Sequence, residues 1–201
     1  MILLSSTKWL IASMAVLPST LLSGLLLSGC ASDDAQPSNA ASAGSSSNQF
    51  AEFAACSKAV LEQDLGQDTA LVGPGVDQKS GQLAPGSYFI ATTYLALKPD
   101  QVDAALELGQ PIVESLASMH GFVAFSLTQS ATCASLRTLT VWQTEEDMMA
   151  FVVSPAHLKA MPRISSLSRG TSNTVGWQAN ETDATWSQAI AHLGQGTNED
   201  R

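Results

Sequence analysis

The order of apolar periods between residues 87 and 193 constrains this chain more than any other feature. "SYFIATTYLAL" (87–97) is rich in aromatic and β-branched residues and has a strand's length. Pro99 follows it. "DQVDAALELGQPIVESLASM" (100–119) then spaces Val102, Ala105, Leu106, Ile112, Val113 and Leu116 as one face of a helix. Gly109 and Pro111 predict a kink or break there, because proline removes a backbone donor and clashes with the preceding turn. His120-Gly121 ends the helix, and "FVAFSLTQ" (122–129) and "LRTLTVWQ" (136–143) read as two strands around a polar loop at Cys133. Thr144 is a good N-cap with Asp147 at the third helical position, and Glu145, Glu146 and Asp147 suit the positive end of a helix. Ser154-Pro155 starts a further helix. "SNTVGWQA" (172–179) is a fourth strand, and "DATWSQAIAHL" (183–193) a short last helix with Trp186, Ile190 and Leu193 on one face.

Strand–helix–strand–strand–helix–strand is the split β-α-β pattern: an α+β, ferredoxin-like βαββαβ fold with an antiparallel sheet. Helices cover one sheet face. The other face, with residues such as Phe89, Phe122, Leu139 and Trp142, cannot be left to water, and a second copy of the chain could cover it.

The first 30 residues stand apart from this pattern. Lys8 precedes an apolar stretch interrupted by Pro18, Ser19, Thr20, Ser23 and Gly24, which ends in Leu27-Ser28-Gly29-Cys30. That reads as a signal peptide over residues 1–29, in preference to a retained transmembrane anchor. The stretch resembles the lipobox of bacterial lipoproteins. The resemblance implies cleavage before Cys30, a diacylglycerol thioether on its sulfur and an acylated amino group, and several acyl chains anchor stably where one is marginal. Ala31, in place of an aspartate, resembles an outer-membrane address in a Gram-negative cell. Residues 30–49 form the lipidated cysteine and a Ser- and Ala-rich linker, whose 19 residues after Cys30 span on the order of 25 Å. Residues 50–85 hold a short helix ending at Gly66 and a turn-rich connector, residues 86–194 the main domain, and residues 195–201 a polar tail.

Nine Lys and Arg against 18 Asp and Glu give a net charge of −9, and removing Lys8 with the leader leaves 8 − 18 = −10. So acidic a domain argues against nucleic acid and against polybasic membrane docking. With Cys30 lipidated, Cys56 and Cys133 remain, and an even pair in an exported chain suggests a disulfide; two separate buried thiols are the alternative.

"GFVAFSL…LRTLTVWQTEEDMMAFVVSPAHLKAM…TVGW…TWSQAIAHL" is similar to the antibiotic-biosynthesis-monooxygenase-like family of dimeric α/β barrels, over roughly residues 86–194. The resemblance implies a homodimer in which two protomers pack sheet to sheet with helices outside. Relatives oxidise aromatic polyketides without a cofactor, degrade haem or do other haem chemistry, and many have no known activity, so the fold alone does not deliver a function. Haem-degrading relatives use a helical tryptophan and a later histidine. Aligned on "VWQTEEDMMAF", those positions fall on Phe151 and Met161, and neither keeps the required side chain. His157, one turn before Met161 on the same helix face, is the catalytic candidate.

A neutral His157 imidazole could act as base on an acidic phenol, or ligate iron if haem binds. The plainer role is a half-buried histidine that bonds a backbone group or packs on Trp142. Trp142, Phe151 and Met161 are the candidate lining for a flat apolar ligand, with core packing as the alternative. Arg137 alternates away from the face of Trp142 and is expected in solvent. Trp177 and Trp186 should fasten the last strand and helix, and Asp100, Asp103, Glu107 and Glu114 form a solvated helix face. His120, His157 and His192 have no paired spacing, so no metal site is expected; nor is there a GxSxG, a P-loop or a dinucleotide fingerprint. The expectation is a lipid-anchored, monooxygenase-like protein for a small planar hydrophobic ligand, haem or a phenolic or quinol compound, with the cofactor open between haem and none. A non-catalytic envelope binding module, or a structural lipoprotein, is the alternative.

Overall fold

The computed structural model describes residues 50–65, 70–170 and 172–195. The leader, Cys30, the linker, Gly66 and all of the tail except residue 195 lie outside the described residues. In chain order the elements are β1 (Ser87–Ala96), α1 (Val102–Leu116), β2 (Phe122–Ser130), β3 (Ser135–Trp142), α2 (Glu145–Val152), α3 (Pro155–Leu167), β4 (Asn173–Asn180) and α4 (Trp186–Gln195). The strands pair in the order β2-β3-β1-β4, every pair antiparallel. This is the expected α+β, ferredoxin-like sheet.

The caps explain where the second helical region begins and divides. Thr144 Oγ1 accepts from the Asp147 amide at 3.2 Å and opens α2. Ser154 Oγ accepts from the His157 amide at 3.4 Å and opens α3, with Pro155 at its first position. Two sequence expectations change. The first helix runs unbroken through Pro111 as α1. Pro111 is exposed, and so is Glu107, whose carbonyl loses its helical partner, so water can satisfy that carbonyl. The helix expected from residue 50 reduces to one 3-10 turn, Ala51–Phe53. Arg137 takes the carbonyls of Ser57, Lys58 and Val60 at 2.9, 3.1 and 2.8 Å, oxygens a helix would use for its own ladder.

The register assigns each strand residue to a face. Phe89, Ala91 and Leu95 of β1 lie with Trp142, Thr140 and Leu136 of β3. On this face Phe89, Phe122 and Trp142 pack with Leu116, Met148 and Phe151, while Leu95 and Leu136 pack with Ala105, Ile164 and Leu167. It is the face of α1, α2 and α3. On the opposite face Ile90, Leu139 and Val141 pack with Leu83, Ala184 and Ala189, and with Leu71, Val76, Trp177 and Trp186. The sequence placed Phe89, Phe122, Leu139 and Trp142 on one face; the register instead puts Leu139 on the face opposite the other three. The face expected to be bare is covered by the chain's own connector and α4, because these carry the matching apolar side chains.

The opposite end of that covered face is polar and firmly tied. Arg137 is fully buried, contrary to expectation; it does point away from Trp142, but onto residues 57–62 rather than into water. Its Nε donates to Glu62 Oε2 at 2.7 Å, and its guanidinium stacks 4.4 Å over the Tyr94 ring. Ser135 Oγ donates to the other Glu62 oxygen at 2.7 Å, and Ser130 Oγ to Asp64 at 2.7 Å. Cys56 and Cys133 are disulfide-bonded, with Cα atoms 5.7 Å apart. Arg169 stacks over Phe53 at 3.9 Å while donating to the Cys133 carbonyl at 2.8 Å.

Candidate functional site

A row of rings crosses the helix-covered face at the Trp142 end of the sheet. Phe122 on β2 lies 6.3 Å from Phe125 and meets Trp142 on β3 edge-on at 5.5 Å. Trp142 meets Phe151 on α2 at 5.3 Å, and Phe151 meets His157 on α3 edge-on at 4.9 Å. The Ser154 turn sets this up: it folds the start of α3 back over the end of α2. His157 Nδ1 then lies 2.9 Å from the Val152 carbonyl. A carbonyl only accepts, so Nδ1 carries the proton and Nε2 presents its lone pair. Burial pushes the His157 imidazole below its ordinary pKa, partly offset by the bond to Val152, and it is neutral at neutral pH.

The structure thus brings Trp142, Phe151 and His157 into one contact row. Met161, one turn further along α3, is 39% exposed and stands at the rim. Trp142 is 0% exposed, yet its Nε1–H has no hydrogen-bond partner among the described residues. A buried donor without an acceptor costs about 1–3 kcal/mol, so this N–H is a place where an entering acceptor gains. Two open clefts of ≈ 590 and ≈ 410 Å³ lie elsewhere, at the Gln129–Ala131 end of β2, and none of the candidate residues lines them.

Haem does not fit the row. Trp142 has no exposed surface and a ring on each side, which leaves no slot for a porphyrin. The positions that would hold it carry Phe151 and the outward Met161. Among the described residues no group of three or more His, Cys, Asp or Glu could hold a metal ion.

A second histidine pairing escaped the sequence. His120 Nδ1 lies 2.5 Å from Asp147 Oδ1, and Thr144 Oγ1 donates to the other carboxylate oxygen at 2.7 Å. A Cβ on Gly121 would stand 2.1 Å from the Asp147 carboxylate, and the backbone there has φ +67, so glycine alone permits this approach. The signal was the capping acid Asp147, whose free oxygen needed a donor 27 residues away. The hydrogen bond and charge of Asp147 raise His120 above its ordinary pKa, while Thr144, then His120, lower Asp147.

The two histidines therefore oppose each other in pH. His120 is raised, so its pairing stabilises below the unfolded pKa and is lost as pH rises through the folded value. His157 is lowered, so its stability is intact above the unfolded pKa and is lost as pH falls through the folded value. Imidazole NMR titration should place His120 above and His157 below the ordinary histidine range, and Asp147→Asn should return His120 to it. The same pKa for both rings would contradict the geometry.

A sequence model of the family described as antibiotic biosynthesis monooxygenase matches residues 88–163. Among solved structures, an antibiotic biosynthesis monooxygenase is 16% identical, with TM-score 0.42, over 45% of this chain and 97% of that one. A conserved protein from Methanosarcina mazei Go1 is 15% identical, with TM-score 0.42, over 45% and 90%. A Mycobacterium tuberculosis protein is 14% identical, with TM-score 0.42, over 45% and 92%. No curated protein matches the chain. The match spans nearly all of β1 through most of α3 and the whole ring row, so residues 88–163 are similar to the antibiotic biosynthesis monooxygenase family.

Proposed function

We propose that this chain is a lipid-anchored, monooxygenase-like protein that binds a small planar phenol or quinol at the Phe151–His157 end of the ring row and promotes its oxidation without a bound cofactor. The observation that carries this reading is a neutral His157 with Nδ1 fixed on the Val152 carbonyl and Nε2 left as a base, edge-on to the Phe151 ring. Nε2 takes the phenolic proton, and the resulting imidazolium faces the oxyanion. A quinol anion is electron-rich enough to give two electrons to dioxygen directly, yielding the quinone and hydrogen peroxide. Phe151 supplies the stacking surface and Met161 the rim.

The leader and Cys30 support an anchor in the cell envelope, the outer membrane in a Gram-negative cell. No helix among the described residues is long and apolar enough to cross a membrane. Proteins of this family are commonly dimeric, which supports a homodimer. The covered sheet face implies that pairing uses another surface or displaces the connector.

A second reading, a non-catalytic binding module, is favoured by how fully Trp142, Met148 and Phe151 fill the interior. Titrating phenols and quinols while recording tryptophan fluorescence and oxygen uptake separates the two. Quenching with uptake that falls about 10²–10⁴-fold in His157→Ala supports catalysis. Quenching without uptake supports the binder, and neither signal rejects both. Added haem should give no Soret shift; a shift abolished by His157→Ala would restore the haem reading.

A further inference from the structure

Four large apolar side chains stand out from the elbow between α2 and α3: Met149, Val153, Leu158 and Met161, 48, 61, 56 and 39% exposed. Met149 and Val153 are one turn apart at the end of α2, and Leu158 and Met161 one turn apart on α3. Single exposed apolar residues are ordinary, but several at one elbow mark an interaction surface. Beside the Leu158–Met161 ridge runs a second exposed ridge, Lys159 and Arg163. Helix α3 has no acidic residue, on a chain with 18 acidic and 9 basic side chains. The acids of α2, Glu145, Glu146 and Asp147, sit in its first turn, roughly 9–12 Å from Val153 at 1.5 Å per residue, and Asp147 is held by His120 and Thr144. The acidic average of the chain is thus reversed on α3 itself.

We propose that the α2–α3 elbow docks on a lipid bilayer, with Val153, Leu158 and Met161 entering the interfacial layer and Lys159 and Arg163 meeting lipid phosphates. An apolar ridge beside a basic one is the chemistry of an interfacial helix. Lysine and arginine reach phosphate while their stems cover apolar surface. The chain outside the structure argues for the same occupant, since a 19-residue linker to Cys30 keeps the domain within on the order of 25 Å of its bilayer. The inference rests on the anchored, ligand-binding reading above and deepens it. His157 lies one turn before Met161, at the inner border of the same ridge, so the ligand class is a phenol or quinol dissolved in the acyl layer.

The test places reporters in the full chain reconstituted in vesicles of brominated phosphatidylcholine, with and without phosphatidylglycerol. Leu158→Trp should add an emission component that the brominated chains quench by about half, as expected for a side chain seated 5–10 Å into the interface. Gln82→Trp, on an exposed turn of the segment covering the opposite sheet face, should escape quenching. Lys159→Ser with Arg163→Ser should abolish the extra quenching seen with phosphatidylglycerol. Equal quenching at both reporters overturns the proposal. So does no quenching at Leu158→Trp, and so does loss of a homodimer in Leu158→Glu with vesicle quenching absent, which would make the elbow a contact between copies. The mass of the mature chain reports acylation of Cys30 independently, so anchoring and docking can fail separately.

Discussion

Replacing Arg137 with alanine should lower the unfolding free energy by about 3–5 kcal/mol, because it strands a buried carboxylate. Glu62 has its two oxygens on Arg137 Nε and Ser135 Oγ, each at 2.7 Å, and both members of the pair are almost wholly buried. The same guanidinium satisfies the carbonyls of Ser57, Lys58 and Val60 and covers the Tyr94 ring. Arg137→Lys should recover little, since one ammonium cannot serve a carboxylate, three carbonyls and an aromatic face together. Replacing both Arg137 and Glu62 by apolar residues should be milder than either single change, as no buried charge is then left alone. Denaturant melts with the disulfide intact measure all three. A loss under about 1 kcal/mol in Arg137→Ala would mean that residues 57–62 do not lie on the sheet as described.

The strands and caps were legible because each rests on local chemistry. Thr144 and Ser154 announce helix starts by residue type, and the aromatic and β-branched density of residues 87–97 and 136–142 announces strands. The contact of Trp142, Phe151 and His157 was legible in part: their position at successive element ends brings them together once the fold is known. What failed was long-range. Arg137 looked solvated because its partner, Glu62, lies 75 residues earlier in a stretch with a weak apolar period. The 50–65 segment looked helical because composition does not show that Arg137 would take its carbonyls. Leu139 stands three residues before Trp142 on β3, so the two-residue period alone sends it to the other face, whereas Phe89 and Phe122 join Trp142 through the register between strands. Pro111 did not break α1 because the rule assumes that the freed carbonyl is buried, whereas Glu107 faces water.

Removing the Cys56–Cys133 bridge, as Cys56→Ser with Cys133→Ser, should lower stability by about 4–5 kcal/mol in the chain-entropy account, because the bridge closes a loop of 77 residues in the unfolded chain. The bridge and Arg137 hold the same segment, so their effects should not add. Without the bridge, this segment stays on the sheet through Arg137, Ser135 and Ser130, so Arg137→Ala should cost more than it does with the bridge intact, and the triple variant should lose more than the sum of the two changes by more than the few tenths of a kcal/mol seen for independent sites. The consequence for function is specific. The bridge lies on the polar end of the covered face, whereas the ring row lies across the sheet beneath α2 and α3. Loss of the bridge should therefore lower the melting midpoint while leaving ligand quenching and the His157 titration unchanged at temperatures where the domain is folded. If the serine variant melts normally but loses ligand quenching, the segment from residue 50 to 65 takes part in the site itself, and the assignment of the site to the Phe151–His157 end of the ring row is wrong.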